Sequence, residues 1–228
     1  VSVRIGVVRF PGSCDEQDAL DACALVGNAE LLWHGSRDLS GVDAVVVPGG
    51  FSYGDYLRPG AIARFSPVME AVAEFAKSGG PVLGICNGFQ VLCEAGLLPG
   101  ALLANNGLRF LCRQVDIIVE RPNTPWTAAC DAGERLSIPV KHMSGRWFAD
   151  DETVARLEAE GQVAFRYAPG QNPNGSVADI AGVASPEGNV VGLMPHPEHA
   201  VDAITGSADG LKLFSSILKE REGVGTAS

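Results

Sequence analysis

The chain has 228 residues, 46% of them apolar, and carries a formal net charge of −10 at pH 7. That length and apolar fraction suffice to bury a full core and exclude a disordered chain. The acidic balance excludes a nucleic-acid or anionic-membrane partner, because either needs a basic face to meet phosphates.

The first half alternates short β-branched runs with amphipathic windows, the pattern of strand–helix–strand units on a parallel sheet. Residues 3–8 read as a buried strand. Ser13 followed by Glu16 has the spacing of a capping box, opening a helix with Ala19, Ala22, Cys23 and Val26 on one face before Gly27 stops it. Strands are expected at 29–33 and 44–47, then a loop over 48–59. Ser66-Pro67 supplies an N-cap and first-turn proline for a helix whose apolar stripe runs through Val68, Ala71, Val72, Phe75 and Ala76 to Gly79-Gly80. Residues 82–85 form the next strand, and 87–95 a short helix ending at Gly96.

From Val115 the texture changes to strand-like runs at 115–119, 136–140, 163–167, 180–184 and 190–194. The last two are expected to pair as a hairpin around residues 185–189. A final helix is expected to start near Ser207, with Leu211, Phe214, Ile217 and Leu218 on one face. No repeat, linker or low-complexity stretch divides the chain, so a single domain over 1–228 is expected.

The opening residues run straight into Val3, Ile5 and Val7 without a charged leader, and no apolar stretch matches a bilayer span. Six cysteines are present, with no C-x-x-C pair. Cys86 and Cys93 on one helix would lie about 10.5 Å apart along its axis, beyond the roughly 7 Å a disulfide tolerates. A reducing, cytoplasmic setting is expected.

Three segments carry chemistry. In Gly84-Ile85-Cys86-Asn87-Gly88 a cysteine stands between two glycines where a buried strand meets a helix, the G-x-nucleophile-x-G elbow. The positive end of the following helix favours thiolate over thiol. The bland reading, a cysteine packed as a small hydrophobe, covers Cys23, Cys93, Cys112 and Cys130; the flanking glycines make it the poorer account of Cys86. Pro48-Gly49-Gly50-Phe51 ends another strand, where successive glycine amides, together with the backbone N–H of Asn87, can serve an oxyanion. In a parallel sheet these strand ends share one edge.

Pro195-His196-Pro197-Glu198-His199 presents a histidine and a carboxylate from a loop fixed by two prolines, as proton shuttle and orienting group for a nucleophile. His196 and His199 have a spacing open to metal ligation, but no matched cysteine pair or carboxylate cluster completes a tetrahedral set in the sequence, so no metal site is expected. His34 reads as structural or solvated, and His142 and His199 stay open. No P-loop or dinucleotide fingerprint is present.

With these segments assembled, the chain resembles the class I, or triad, glutamine amidotransferases. Pro48-Gly-Gly-Phe-Ser-Tyr-Gly-Asp-Tyr-Leu-Arg58, Gly60-Ala-Ile-Ala-Arg-Phe65, Gly84-Ile-Cys-Asn-Gly-Phe-Gln90, Asn172-Pro-Asn-Gly-Ser176 and Met194-Pro-His-Pro-Glu198 are similar to the glutaminase subunits of phosphoribosylformylglycinamidine synthase, over nearly the whole length. The resemblance implies an α/β fold with a mainly parallel central sheet flanked by helices and added antiparallel strands in the second half. It implies Cys86 as nucleophile, His196 as proton shuttle, Glu198 as orienting carboxylate, Gly50 and Asn87 as oxyanion donors, and Gln90 as a residue seating glutamine.

It also implies a large synthetase partner binding ATP, Mg and formylglycinamide ribonucleotide. No cofactor is implied for this chain, and the need for a third small subunit stays open. Three positions depart from the family's usual pattern: Pro11-Gly12-Ser13-Cys14-Asp15 is one residue short, Lys141-His142-Met143-Ser144-Gly145 lacks the usual acidic residue, and His199 replaces the usual arginine. A stand-alone cysteine hydrolase and a non-catalytic binding module on the same fold are the competing readings.

Overall fold

The structure is a computed structural model that describes residues 2–225. Its centre is a nine-stranded sheet. In chain order the strands and helices are β1 (Arg4–Arg9), α1 (Glu16–Ala24), β2 (Asn28–Trp33), β3 (Ala44–Val47), α2 (Pro67–Lys77), β4 (Val82–Ile85) and α3 (Asn87–Glu94). These are followed by β5 (Ala101–Leu103), β6 (Leu111–Val119), β7 (Arg135–His142), β8 (Arg146–Phe148), α4 (Asp151–Ala159), β9 (Val163–Tyr167), β10 (Ile180–Ala184), β11 (Val190–Leu193) and α5 (Leu211–Gly225).

The order across the sheet is β2-β1-β3-β4-β11-β10-β9-β6-β7, with β5 and β8 forming a separate antiparallel pair. From β2 to β11 every neighbouring pair is parallel. From β11 to β7 every pair is antiparallel, starting with the expected hairpin, in which Val183 faces Gly192. The two halves follow from connection length: crossovers through α1, α2 and α3 permit parallel neighbours, whereas the five residues between β10 and β11 permit only a hairpin.

β3, β4, β10 and β11 are buried at every position, which explains their unbroken apolar runs. The helix α3 lies close on this sheet because two positions lack a side chain. A Cβ on Gly88 would meet the Val47 carbonyl oxygen at 1.8 Å, and one on Gly192 would meet the Phe89 ring at 2.2 Å.

Several expectations are corrected. The Ser13–Glu16 capping box does not form: Ser13 Oγ accepts from the Phe10 N–H, Glu16 pairs with Arg9 at 3.2 Å, and Asp15 is the N-cap residue. The final helix begins at Leu211, four residues after Ser207. Strand β6 begins at Leu111 rather than Val115, while β5, β8 and α4 were not expected at all. Cys112 is exposed instead of packed, and all six cysteines are free thiols. No helix among the described residues is long and apolar enough to cross a membrane.

Candidate active site

Four parallel neighbours, β1, β3, β4 and β11, end on the same edge, and the segment after each delivers one part of the site. β4 runs directly into Cys86, whose N–H donates to the Leu193 carbonyl at 2.8 Å. Cys86 is the N-cap of α3 at φ 49°, ψ −103°, a left-handed conformation that is costly for a residue with a side chain. Gly84 and Gly88 make this turn possible: a Cβ on Gly84 would lie 2.9 Å from the Gly88 backbone. The sulfur belongs to a residue only 5% exposed and sits 3.8 Å from the Lys141 carbonyl oxygen.

The segment after β11 holds His196 and Glu198. The His196 N–H donates to the Pro139 carbonyl at 2.8 Å, so β7, last in the sheet order, returns to close the site. Both side chains are buried, and His196 Nδ1 lies 2.6 Å from Glu198 Oε1. Burial opposes the imidazolium, yet the Glu198 carboxylate and the Cys86 sulfur outweigh it, and the His196 pKa is pushed up to about 10. His196 Nε2 and Glu198 Oε2 have no hydrogen-bond partner among the described residues. An imidazole so placed can hold a proton against a thiolate on one side and a carboxylate on the other.

After β3, Gly50 adopts φ 139° and bridges to Ser13; a Cβ there would lie 2.5 Å from the Cys14 nitrogen. Its own N–H donates to no acceptor among the described residues, nor does that of Asn87, at the first turn of α3. The Phe51 N–H is committed to the Gly12 carbonyl at 2.9 Å, which removes it as an alternative donor to Gly50. The Asn87 side chain accepts from the Ser52 N–H at 3.0 Å and donates to Gln90 Oε1 at 2.8 Å, tying the elbow to the following loop.

A pocket opens over the sulfur, lined by Cys86, Gly50, Gln90, Asp55, Lys141 and Ser144 among others. Gln90 Nε2 donates to the Ser144 carbonyl at 2.6 Å, so this side chain fixes the pocket wall as well as facing the cavity. The wall itself rests on His142, which is buried between Asn105 and Asn174 and pushed down to about 4 by burial and by His196. Asn174, from the motif at 172–176, also donates to the Gly145 carbonyl at 2.8 Å. His34, left as structural or solvated, pairs with the Tyr53 hydroxyl at 2.8 Å.

One participant was not singled out by the sequence. Asp15, after β1, is buried with its carboxylate against Lys141, 3.3 Å from His199 Nε2 and 3.7 Å from His196 Nδ1. Asp15, His196, Glu198 and His199 thus converge within 4.8 Å, so a carboxylate cluster does join the histidines, contrary to the sequence argument against metal ligation. The Lys141 ammonium already supplies a positive charge to this group.

A model of the CobB/CobQ-like glutamine amidotransferase domain matches residues 2–214. A phosphoribosylformylglycinamidine synthase subunit PurQ from Rubrobacter xylanophilus is 62% identical over 217 residues, covering 95% of this chain and 98% of that one. The chain belongs to this family of glutamine amidotransferases. A PurQ subunit from Thermus thermophilus is 55% identical over 224 residues, covering 96% and 99% of the two chains. The structure of PurLQS from Thermotoga maritima contains a chain that superposes with a TM-score of 0.89 at 42% identity, over 97% of this amidotransferase and all of its counterpart. The amidotransferase therefore shares with that chain both the parallel half of the sheet and its antiparallel extension.

Proposed function

We propose that the chain hydrolyses glutamine to glutamate and ammonia through a Cys86 thioester. The ammonia passes to a synthetase subunit that converts formylglycinamide ribonucleotide to formylglycinamidine ribonucleotide in de novo purine biosynthesis. The observation that carries the chemical reading is the meeting of the segments after β3, β4 and β11: Gly50, the Cys86 sulfur and the His196–Glu198 pair at 2.6 Å.

The Cys86 thiolate attacks the side-chain carbonyl carbon of glutamine, and the electron pair moves to oxygen, where the Gly50 and Asn87 amides receive it. His196 gives its proton to the departing nitrogen, releasing ammonia and leaving the thioester. It then takes a proton from water as that water attacks the thioester and keeps it as the sulfur leaves as thiolate, which restores the starting pair, and the released acid ionises to glutamate. Glu198 holds the imidazolium through Nδ1–H in both halves. Gln90 orders the pocket wall around the substrate.

Identity above half to PurQ subunits over nearly the full length supports the purine assignment, and the PurLQS counterpart supports a synthetase and a third subunit as partners. ATP and Mg belong on the synthetase, the chain works as one domain over 1–228, and the setting is the cytoplasm.

The test is glutamine-dependent synthesis of formylglycinamidine ribonucleotide by the purified chain alone, then with the large subunit, then with the third subunit added. Synthesis only in the reconstituted assembly is expected. Fast glutamine hydrolysis by the isolated chain with no transfer of nitrogen in the assembly would favour a stand-alone hydrolase.

A further inference from the structure

Helix α1 begins with an aspartate that does not cap it. Asp15 stands at the N-cap, where an aspartate side chain ordinarily accepts a backbone N–H from the first turn, yet this one makes no cap bond. The carboxylate turns instead into the site, where Lys141 and His199 meet Oδ1 and Oδ2 is left 3.7 Å from His196 Nδ1. The approach depends on Gly49: a Cβ there would lie 2.4 Å from Asp15 Oδ2 and 2.7 Å from His196 Cε1. The backbone is bare at the one point where the carboxylate and the imidazole pass each other.

We infer that Asp15 is a positioning residue for His196, a second carboxylate that acts on the imidazolium through its charge while Glu198 holds it by hydrogen bond. The inference rests on His196 being the proton shuttle. Nδ1 has one proton to give and Glu198 takes it at 2.6 Å, so Asp15 at 3.7 Å has only its charge to contribute. Both side chains are almost wholly buried, so that charge is poorly screened.

Burial opposes ionisation of Asp15, but His199, His196 and Lys141 outweigh it and hold its carboxyl below the usual carboxylate range. His199 and His196 come first among these and keep Asp15 charged, while the Lys141 ammonium offsets part of its charge. The other groups facing this centre are Cys86 from the elbow, Glu198 and His199 from the same loop, His142 from β7, Cys14 beside Asp15, and Cys23 and Asp18 from α1, which lie toward Glu198 and Lys141.

The test is Asp15→Asn, in the complete assembly with its synthetase, with kcat/KM for glutamine followed against pH. Loss of the charge makes the imidazolium easier to deprotonate, so the alkaline limb moves to lower pH by about one unit, the low end for an opposite charge at this range. Lys141→Met, which removes the neutralising cation, moves the same limb upward, and the double variant returns it toward the wild-type position. Ammonia-dependent synthesis stays at its wild-type rate and reports intact assembly.

A purely structural Asp15 would lower kcat/KM evenly across pH; an unmoved limb in Asp15→Asn would overturn the inference. Should Asp15→Asn fail to assemble, an unmoved limb in Lys141→Met does the same. His196→Ala run alongside separates the two levels: if that variant still hydrolyses glutamine, the proton-shuttle reading itself is wrong.

Discussion

Substituting Glu198 by Gln removes one charge from the buried pair while leaving an oxygen able to accept from His196 Nδ1. The structure sets the size of the effect. The contact is 2.6 Å long between two side chains almost wholly shielded from water, and a hydrogen bond to a charged partner contributes about 1.5–3 kcal/mol. At about 1.36 kcal/mol per decade this is roughly a 10- to 150-fold loss in glutamine-dependent kcat/KM. Loss of the nucleophile should cost far more. Two features keep the effect at that size: the amide oxygen preserves the tautomer, and Asp15 remains as a second negative charge 3.7 Å from Nδ1. The assay compares glutamine-dependent with ammonia-dependent synthesis in the reconstituted assembly, since only the first uses this site. Full glutamine-dependent activity in Glu198→Gln would refute the role given to the carboxylate, and an equal fall in both activities would place the damage elsewhere.

Three further outcomes are expected. Gly88→Ala forces a methyl against the Val47 carbonyl at 1.8 Å, so α3 must shift; a loss of about 1–3 kcal/mol in denaturant-derived stability and a fall in glutaminase rate follow, and unchanged values would show that the helix has room. Burial pushes Asp55 up to about 6, so the folded state favours the protonated acid: its ionisation disfavours folding above that pH, a penalty that fades toward pH 4. Asp55→Asn should raise Tm at pH 8 and converge with wild type near pH 4, and a Tm difference independent of pH would remove this origin. The isolated chain should hydrolyse glutamine slowly and accelerate when the synthetase, an ATP analogue and the acceptor nucleotide are added, because the loop at 51–59 has four residues in left-handed conformations and exposes Tyr56 (70%) and Leu57 (78%); equal rates with and without the partner would show that the loop is no switch.

The parallel half of the sheet was legible because its central strands are buried at every position and so spell short uncharged, apolar runs. The elbow was legible because its requirements are local: Gly84, Cys86 and Gly88 lie within five residues, and each glycine is demanded by a contact under 3 Å. The helix α4 was missed because only Leu157 among its residues is fully buried, leaving little periodicity to read. Strand β6 was started late because residues 112–114 are exposed. The Ser13–Glu16 pattern misled because tertiary partners, Arg9 for Glu16 and the Phe10 amide for Ser13, outcompeted the local cap.

Asp15 and Lys141 are 126 positions apart and meet only because β7 returns over the edge of the sheet. The loss of an acidic residue from the segment at 141–145 was visible in the sequence, but the pairing of Lys141 with Asp15 was not. The same holds for the motif at 172–176, where Asn174 holds up the pocket wall through His142 and the Gly145 carbonyl, without lining the pocket itself.

The central claim is that Cys86 does the chemistry that frees ammonia and nothing else in the assembly depends on it. Cys86→Ala, assayed in the full complex with glutamine and then with ammonium at high pH as nitrogen source, tests this most directly. Glutamine-dependent synthesis should disappear while ammonia-dependent synthesis continues at the wild-type rate. Retained glutamine-dependent synthesis, or loss of both activities together, would contradict the account.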